Sequence, residues 1–387
     1  MPMFALPDFP YPKPAELRIR VIEPYALDMP LAKSVQTPMG TIGSVVNLLV
    51  RVEDEDGVEG WGEIWCNFPR FSMPYRARLL REVVAPLLLR QAFRSPLEAW
   101  RMLTAKTRIL RLQSGEPGPL AAVIAGVDIA LWDIAGRKAG LPLWRMFGGL
   151  GGAVSVYASI GRSEDVPRRV EDCLRRGFRA FKIRSAGDIA EHLAAAMPVR
   201  RQIGDACELM LDLNSSWNVD AAVEAVGRLE AVHLAWLEEP IPADAPAHDW
   251  QRLAAAAPMD LAGGENLIGA GMFQAALADG ALGVIQPDPT KWGGLSGTLP
   301  VALAAVGAGR RLCPHMFNGA PGVLACAHLL AACNTPHGIL EYGVGHNGPR
   351  EPAIREAVRD GSFLLGDAPG LGLSMDGEAM RALRVPL

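Results

Sequence analysis

Lysine is scarce in this sequence. Of the 38 basic residues only six are lysines, namely Lys13, Lys33, Lys106, Lys138, Lys182 and Lys291, so where each one stands carries information. Paired cysteines are absent too. Cys66, Cys173, Cys207, Cys313, Cys326 and Cys333 are scattered and form no CxxC, which reads as reduced, mostly buried thiols of a cytoplasmic protein rather than a disulfide framework or zinc site. No apolar run approaches the roughly 20 residues needed to span a bilayer. Met1 to Pro14 is proline-rich and lacks the apolar stretch of a signal peptide. A net charge of −4 gives no electrostatic case for a nucleic-acid or anionic-membrane partner.

Apolar residues make up half of the 387 positions, enough for a large core. The length suits a barrel plus a smaller domain. The first part reads as α+β. Leu17–Glu23 and Val45–Asp54 have strand character around an Asp56-Gly57 turn, and Arg76–Leu89 and Pro96–Leu110 have helical character. Leu120, Val123, Ile124, Val127, Leu131 and Ile134 recur at helical spacing, and Gly140-Leu141-Pro142 ends that helix.

Beyond Gly152 the pattern becomes regular. Short apolar runs stand at Val154–Ala158, Ala180–Ile183, Leu209–Leu213, Leu234–Leu237, Met259–Ala262, Val284–Gln286, Arg311–Cys313 and Ile339–Tyr342. Their spacing leaves room for one strand and one helix each, as in a closed parallel barrel. An open doubly wound sheet is the competing reading, but no GxGxxG or P-loop follows the first strand. The expected fold is thus an N-terminal α+β capping domain (1–130), a (β/α)7β or (β/α)8 TIM-type barrel (131–355) and a C-terminal segment (356–387) that packs back on the cap.

A parallel barrel gathers the C-terminal ends of its strands at one mouth. Here the ends carry Lys182-Ile183-Arg184, Asp212-Leu213-Asn214, Glu238-Glu239-Pro240, Gly264-Glu265-Asn266, Pro287-Asp288, Pro314-His315 and Glu341. Acids on three consecutive strands cannot all stay ionised without a cation, and hard oxygen donors in that number suit Mg²⁺. The bland alternative is that each acid caps the following helix. Spacing leaves Glu238 and Glu239 both open as ligands, because alternation points them to opposite sides. Asp288 and His315 on neighbouring strand ends read as a dyad, the carboxylate fixing the imidazole tautomer for proton transfer near neutral pH. His192, His233, His248, His328, His337 and His346 have no comparable partner and read as ordinary residues. A lysine in an apolar strand end is costly unless paired, so Lys182 reads as a group that binds a substrate carboxylate and offsets enolate charge.

Taken together, Gly60-Trp61-Gly62-Glu63, Gly126-Val127-Asp128-Ile129-Ala130-Leu131-Trp132-Asp133, Leu211-Asp212-Leu213-Asn214, Leu237-Glu238-Glu239-Pro240, Gly264-Glu265-Asn266, Gln286-Pro287-Asp288 and Pro314-His315 resemble the enolase superfamily, in its mandelate racemase subgroup. The resemblance covers nearly the whole chain. It implies Mg²⁺ on Asp212, Glu238 and Glu265, with Lys182, Asp288 and His315 as catalytic groups. It also implies Glu341 as a hydrogen-bond donor to the enolate when protonated, which would require a raised pKa. Arg184 and Asn214 are expected to bind substrate. Loops of the cap around Ala26–Ser44 and Cys66–Pro74 are expected to close over it, and the assembly to be a homo-oligomer.

One position departs from the family pattern. Its racemases carry Lys-x-Lys where this chain has Lys182-Ile183-Arg184, and a guanidinium is a poor base. One-base chemistry follows: His315 removes the proton next to a carboxylate and then assists loss of a β-hydroxyl, which makes the chain an acid-sugar dehydratase acting on a small carboxylate substrate. A racemase or epimerase of a 2-hydroxy acid, and a metal-binding barrel without turnover, are the alternatives.

Overall fold

The computed structural model describes residues 16–37, 40–69, 71–161, 165–185, 187–317, 319–345, 354, 357–373 and 384–386. Met1–Pro14, His346 and Arg355 lie outside that set. The chain opens with an antiparallel sheet of β1 (Leu17–Thr37), β2 (Gly40–Asp54) and β3 (Glu59–Ile64). Helices α1 (Ser72–Leu79) and α2 (Ala85–Leu88) follow, joined by a π turn at Leu80–Val84. Next come β4 (Ala92–Phe93), α3 (Pro96–Lys106), α4 (Arg108–Ser114), α5 (Pro117–Ala139) and α6 (Leu143–Met146). The sheet order is β3-β2-β1-β4.

The Ala26–Ser44 segment belongs to a long hairpin, paired from Ile19↔Asp54 out to Thr37↔Gly40, so its backbone is strand rather than loop up to the tip. The apolar run question is decided by α5. Its 23 residues are long and apolar enough to cross a membrane by length and composition, yet 89% of its most apolar window is buried inside the protein. Its apolarity is consumed by the core, between the cap sheet and the barrel. The helix also runs unbroken through residue 130, where a domain boundary was expected. It closes at Gly140, whose φ of +66° suits a left-handed cap that a side chain would strain.

The Gly60-Trp61-Gly62 motif has a packing reason. A Cβ on Gly62 would stand 1.9 Å from the Gly126 carbonyl oxygen, and one on Gly60 2.2 Å from that of Ala130. Strand β3 therefore lies directly on the backbone of α5. The acids of α5 tie that helix to more distant parts of the chain. Asp133 accepts from the Trp61 and Leu371 amides at 3.0 and 2.8 Å, and Asp128 accepts from the Ser296 amide at 2.9 Å.

The second part alternates strand and helix: β5 (Ala153–Ile160), α7 (Val166–Arg175), β6 (Ala180–Arg184), α8 (Ile189–Ile203), β7 (Glu208–Asp212), α9 (Val219–Val226), β8 (Trp236–Glu238) and α10 (Ala247–Ala256). It continues through β9 (Asp260–Gly263), α11 (Ala270–Asp279), β10 (Leu282–Ile285), α12 (Gly294–Gly307), β11 (Arg311–Leu312), α13 (Ala320–Ala332) and β12 (Leu340–Gly343). Neighbouring strands pair in parallel from β5 to β11, and β12 returns to pair with β5. The Ile339 amide donates to the Leu312 carbonyl at 3.2 Å, closing the ring. All eight expected strand positions are strands. Among the described residues, seven helices, α7 to α13, alternate with the eight strands, and Ile354 beyond β12 is again helical.

Tyr157, Ala180, Met210, Trp236, Ala262, Val284, Cys313 and Ile339, one from each strand or its edge, form a packed layer inside the ring. This layer is the floor beneath the mouth, as expected for a barrel interior filled by side chains. The described part of the C-terminal segment forms an antiparallel hairpin, β13 (Val358–Arg359) and β14 (Ser362–Leu364), against β5. Gly370 lies against Asp133 and Gly136 of α5, and Arg384 bridges to Leu27 of β1.

Candidate active site

Strand register brings the charged residues together. Arg184 is the cross-strand partner of Asp212, and Asp212 that of Glu238. Glu265 follows β9 by two residues, Asp288 follows β10, His315 follows β11 and Glu341 lies in β12. Lys182 is fully buried, so its ammonium must be paired. Its Nζ lies 2.5 Å from Glu238 Oε1, 2.9 Å from Glu341 Oε1 and 3.8 Å from Asp212 Oδ2. Burial alone would lower its pKa, but these three charges outweigh burial and raise it.

Arg184 completes the cationic side. Its Nε donates to Asp212 Oδ2 at 3.2 Å, its Nη2 lies 3.6 Å from Glu341 Oε1, and the guanidinium stacks 5.3 Å from the centre of the Phe317 ring. Burial again opposes protonation, and Asp212, Glu341 and Glu238 prevail. An arginine so paired cannot accept a proton at any ordinary pH.

The dyad is present. His315 Nδ1 lies 2.9 Å from Asp288 Oδ2, and the other oxygen of Asp288 accepts from Thr290 N and Thr290 Oγ1, both at 2.7 Å. The aspartate is thus anchored before it orients the imidazole. His315 Nε2 pairs with Glu265. Burial works against the imidazolium, but Glu265 and Asp288 push its pKa up to about 10. In this arrangement His315 holds its proton, which differs from the expected titration near neutrality. The reason is the second carboxylate, on the nitrogen that faces the mouth.

Glu341 also differs from expectation. Burial would raise it, yet Lys182, His315, Arg184 and the Met316 amide at 3.0 Å hold it at about 2. It is a carboxylate here, an acceptor rather than a proton donor. Asn214 is exposed at the mouth with φ +47°, and its backbone N–H donates to Asp212 Oδ1 at 2.9 Å.

Glu238 and Glu239 separate clearly. Glu238 faces Lys182, accepts from Gln286 Nε2 at 2.7 Å and lies 3.3 Å from Trp236 Nε1. Burial, with Asp212 and Glu341 nearby, pushes it to about 6 despite Lys182. Glu239 turns to Asn266 Nδ2 at 2.8 Å, leaves Oε1 without a hydrogen bond, and is pushed by burial and Glu265 to about 8. Sequence reasoning gave no role to Gln286, Thr290 or Lys291, whose Nζ sits 4.8 Å above the Trp65 ring of the cap and donates to Asn266 at 2.7 Å. Gln286 and Thr290 flank Pro287-Asp288, and that proximity was the available signal.

The metal fit rests on the donor set. Among the described residues, Asp212, Glu238, Glu239, Glu265, Asp288 and Glu341 crowd the mouth against Lys182, Arg184 and Lys291 as permanent cations. Asp212, Glu238 and Glu265 are each turned onto a different cationic group, so no three such side chains converge on one point among the described residues. Hard oxygen donors on consecutive strand ends with a deficit of positive charge fit a divalent cation of the Mg²⁺ type.

An antiparallel cap on a closed parallel barrel, with acids and an Asp–His pair at the strand ends, defines the cap-and-barrel class of enzymes. Residues 21–148 match the mandelate racemase/muconate lactonizing enzyme N-terminal domain, and residues 165–380 match the enolase C-terminal domain-like family; the chain belongs to the enolase superfamily. It is 30% identical to the D-galactarolactone cycloisomerase of Agrobacterium fabrum, over 96% of this chain and all of that one. It is 28% identical to the D-galactonate dehydratase of Pectobacterium atrosepticum, over 86% of this chain and 89% of the relative. A mandelate racemase/muconate lactonizing enzyme structure from Bordetella bronchiseptica superposes with a TM-score of 0.89 at 44% identity, covering 95% and 100% of the two chains. An enolase from Bradyrhizobium, complexed with magnesium and mandelic acid, superposes with a TM-score of 0.82 at 28% identity, covering 96% and 99%.

Proposed function

We propose that this chain is a Mg²⁺-dependent acid-sugar dehydratase. The observation that carries the reading is the asymmetry of the mouth: an Asp288–His315 dyad on one side, and on the other an arginine locked to Asp212 and Glu341. Racemisation needs proton transfer on both faces, whereas elimination needs one base that later serves as acid. Relatives named as dehydratases, and a magnesium-bound neighbour, support the same reading.

Asp212, Glu238 and Glu265 are the residues that would hold the metal, which would supply Lewis-acid stabilisation of the enolate charge. Lys182 neutralises charge on the substrate carboxylate from the barrel side. Arg184 and Asn214 bind substrate oxygens at the rim. Asp288 fixes the tautomer of His315, which takes the α-proton and returns it to the departing hydroxyl. Glu265, if drawn to a metal, would give up its pair with His315 Nε2 and leave that nitrogen to face the substrate. Glu341 serves as a fixed negative charge that holds Lys182 and Arg184. We assign the chain to the cytoplasm, on its six free, buried cysteines. We assign it a homo-oligomeric state, on the exposed Ile109, Leu110 and Leu112 of α4.

A cycloisomerase reading is favoured by the relative from Agrobacterium fabrum, which matches along its full length. It shares the first proton transfer and differs in the leaving group. Incubating the Mg²⁺-loaded protein with a library of mono- and diacid sugars and lactones, in D₂O, separates the readings by product mass. Loss of one water supports dehydration, and no loss beyond the uptake of deuterium supports isomerisation. Deuterium at C2 in both configurations overturns the one-base argument.

A further inference from the structure

The proposed mechanism leaves one buried acid unused. Glu63 is the penultimate residue of the cap strand β3, is 2% exposed, and reaches across to the barrel. Its carboxylate accepts from the Gly319 amide at 2.7 Å and the Gly322 amide at 3.0 Å, both at the start of α13. Asn47 of β2 supplies a third donor at 2.9 Å. The first-turn amides of a helix have no partner within the helix, and a carboxylate suits that positive end. The seat is tight: a Cβ on Gly319 would come within 3.2 Å of both Glu63 oxygens.

What makes this more than an interface contact is where α13 begins. His315 stands four residues before Gly319. The next cap residues grip the same region: Asn67 Nδ2 donates to the Phe317 carbonyl at 2.9 Å, and the Trp65 amide lies 3.4 Å from the Thr290 carbonyl. Thr290 anchors Asp288 and Phe317 stacks on Arg184. The segment from Glu63 to Asn67 therefore holds both loops that carry the dyad.

We propose that Glu63 is a positioning residue: anchored in the cap, it fixes the start of α13 and with it the loop that presents His315 to Asp288. The role rests on the reading of His315 as the proton-transfer group. The buried carboxylate does not touch substrate. It acts through the loop, so its loss shifts the imidazole, and a misplacement of about 1 Å costs up to about 100-fold in rate.

The test uses the full chain loaded with Mg²⁺ and compares Glu63→Gln with Trp132→Phe. The second variant removes a different cap–barrel hydrogen bond, Trp132 Nε1 to Ser296 Oγ at 2.9 Å, and serves as the structural control. Two readouts are taken: kcat and KM on the best sugar acid, and the imidazole ¹⁵N signals of His315, assigned with a His315→Asn variant. The expected result is a roughly 10- to 100-fold fall in kcat for Glu63→Gln. KM stays within about threefold of the parent and the His315 signals shift, while Trp132→Phe changes neither. Equal effects of the two variants, or unshifted His315 signals in Glu63→Gln, overturn the proposal. If Glu63→Gln does not fold, Glu63→Asp keeps the charge and is read the same way; loss of the fold in both makes Glu63 a core residue and overturns the role. A parent chain that turns over no sugar acid refutes the dehydratase reading, and the ¹⁵N signals still decide the role of Glu63.

Discussion

Replacing Lys182 by methionine keeps the length and apolar stem of the side chain and deletes its charge. In the folded protein that charge stands between Glu238 at 2.5 Å, Glu341 at 2.9 Å and Asp212 at 3.8 Å, with no solvent contact. Removing one partner of a buried ion pair leaves an uncompensated charge and costs about 3–5 kcal/mol. At roughly 2 °C per kcal/mol for a large domain, the metal-free variant melts roughly 6–10 °C below the parent. Mg²⁺ supplies positive charge to the same carboxylates, so it restores part of the loss. At a concentration 100 times its Kd it contributes about 2.7 kcal/mol of stability to any chain that binds it. Thermal unfolding of the parent and Lys182→Met, each with chelator and with Mg²⁺, reads all four states. The variant is also expected to lose on the order of 100-fold in kcat, the scale of removing one charge-stabilising group from an active site. A Lys182→Met protein that melts with the parent in chelator, or whose melting ignores Mg²⁺ while the parent responds, refutes the account of Lys182 and the acids as one electrostatic unit.

Arg184→Lys restores the second lysine of the Lys-x-Lys pattern beside Asp212 and Glu341; deuterium is then expected at C2 in both configurations, and no gain of exchange over the parent means that Arg184 is not what limits the site to one face. Stability is expected to fall with acidification through His328. That residue is fully buried, its Nδ1 accepts from the Trp144 amide at 3.0 Å, and burial lowers its pKa from 6.5 to about 4. Its contribution is fully present above pH 6.5 and is lost as pH falls from there to about 4, because the unfolded chain takes up a proton that the folded one refuses. The difference amounts to about 3 kcal/mol. Urea midpoints measured against pH for the parent and His328→Gln isolate it, and identical slopes in the two proteins contradict the assignment.

The barrel was legible before folding because each strand announces itself locally. A run of four or five apolar residues such as Leu209–Leu213 is buried on both faces, and the polar residues that end it fall at the mouth by topology alone. The same logic placed Lys182, Asp212, Glu238, Glu265, Asp288, His315 and Glu341 around one opening. The C-terminal segment was less legible. The β13–β14 hairpin pairs only three residues with β5, about 200 positions away in sequence.

Sequence alone determined which residues share the mouth, because a repeating strand–helix pattern leaves a parallel barrel few ways to close. It did not determine what each charge does there. The low pKa of Glu341, the proton held on His315, the separate partners of Glu238 and Glu239, and the reach of Glu63 to α13 all depend on atoms brought within about 3 Å across large sequence separations. Electrostatic energy depends on distance and burial, and only the packed tertiary structure sets either.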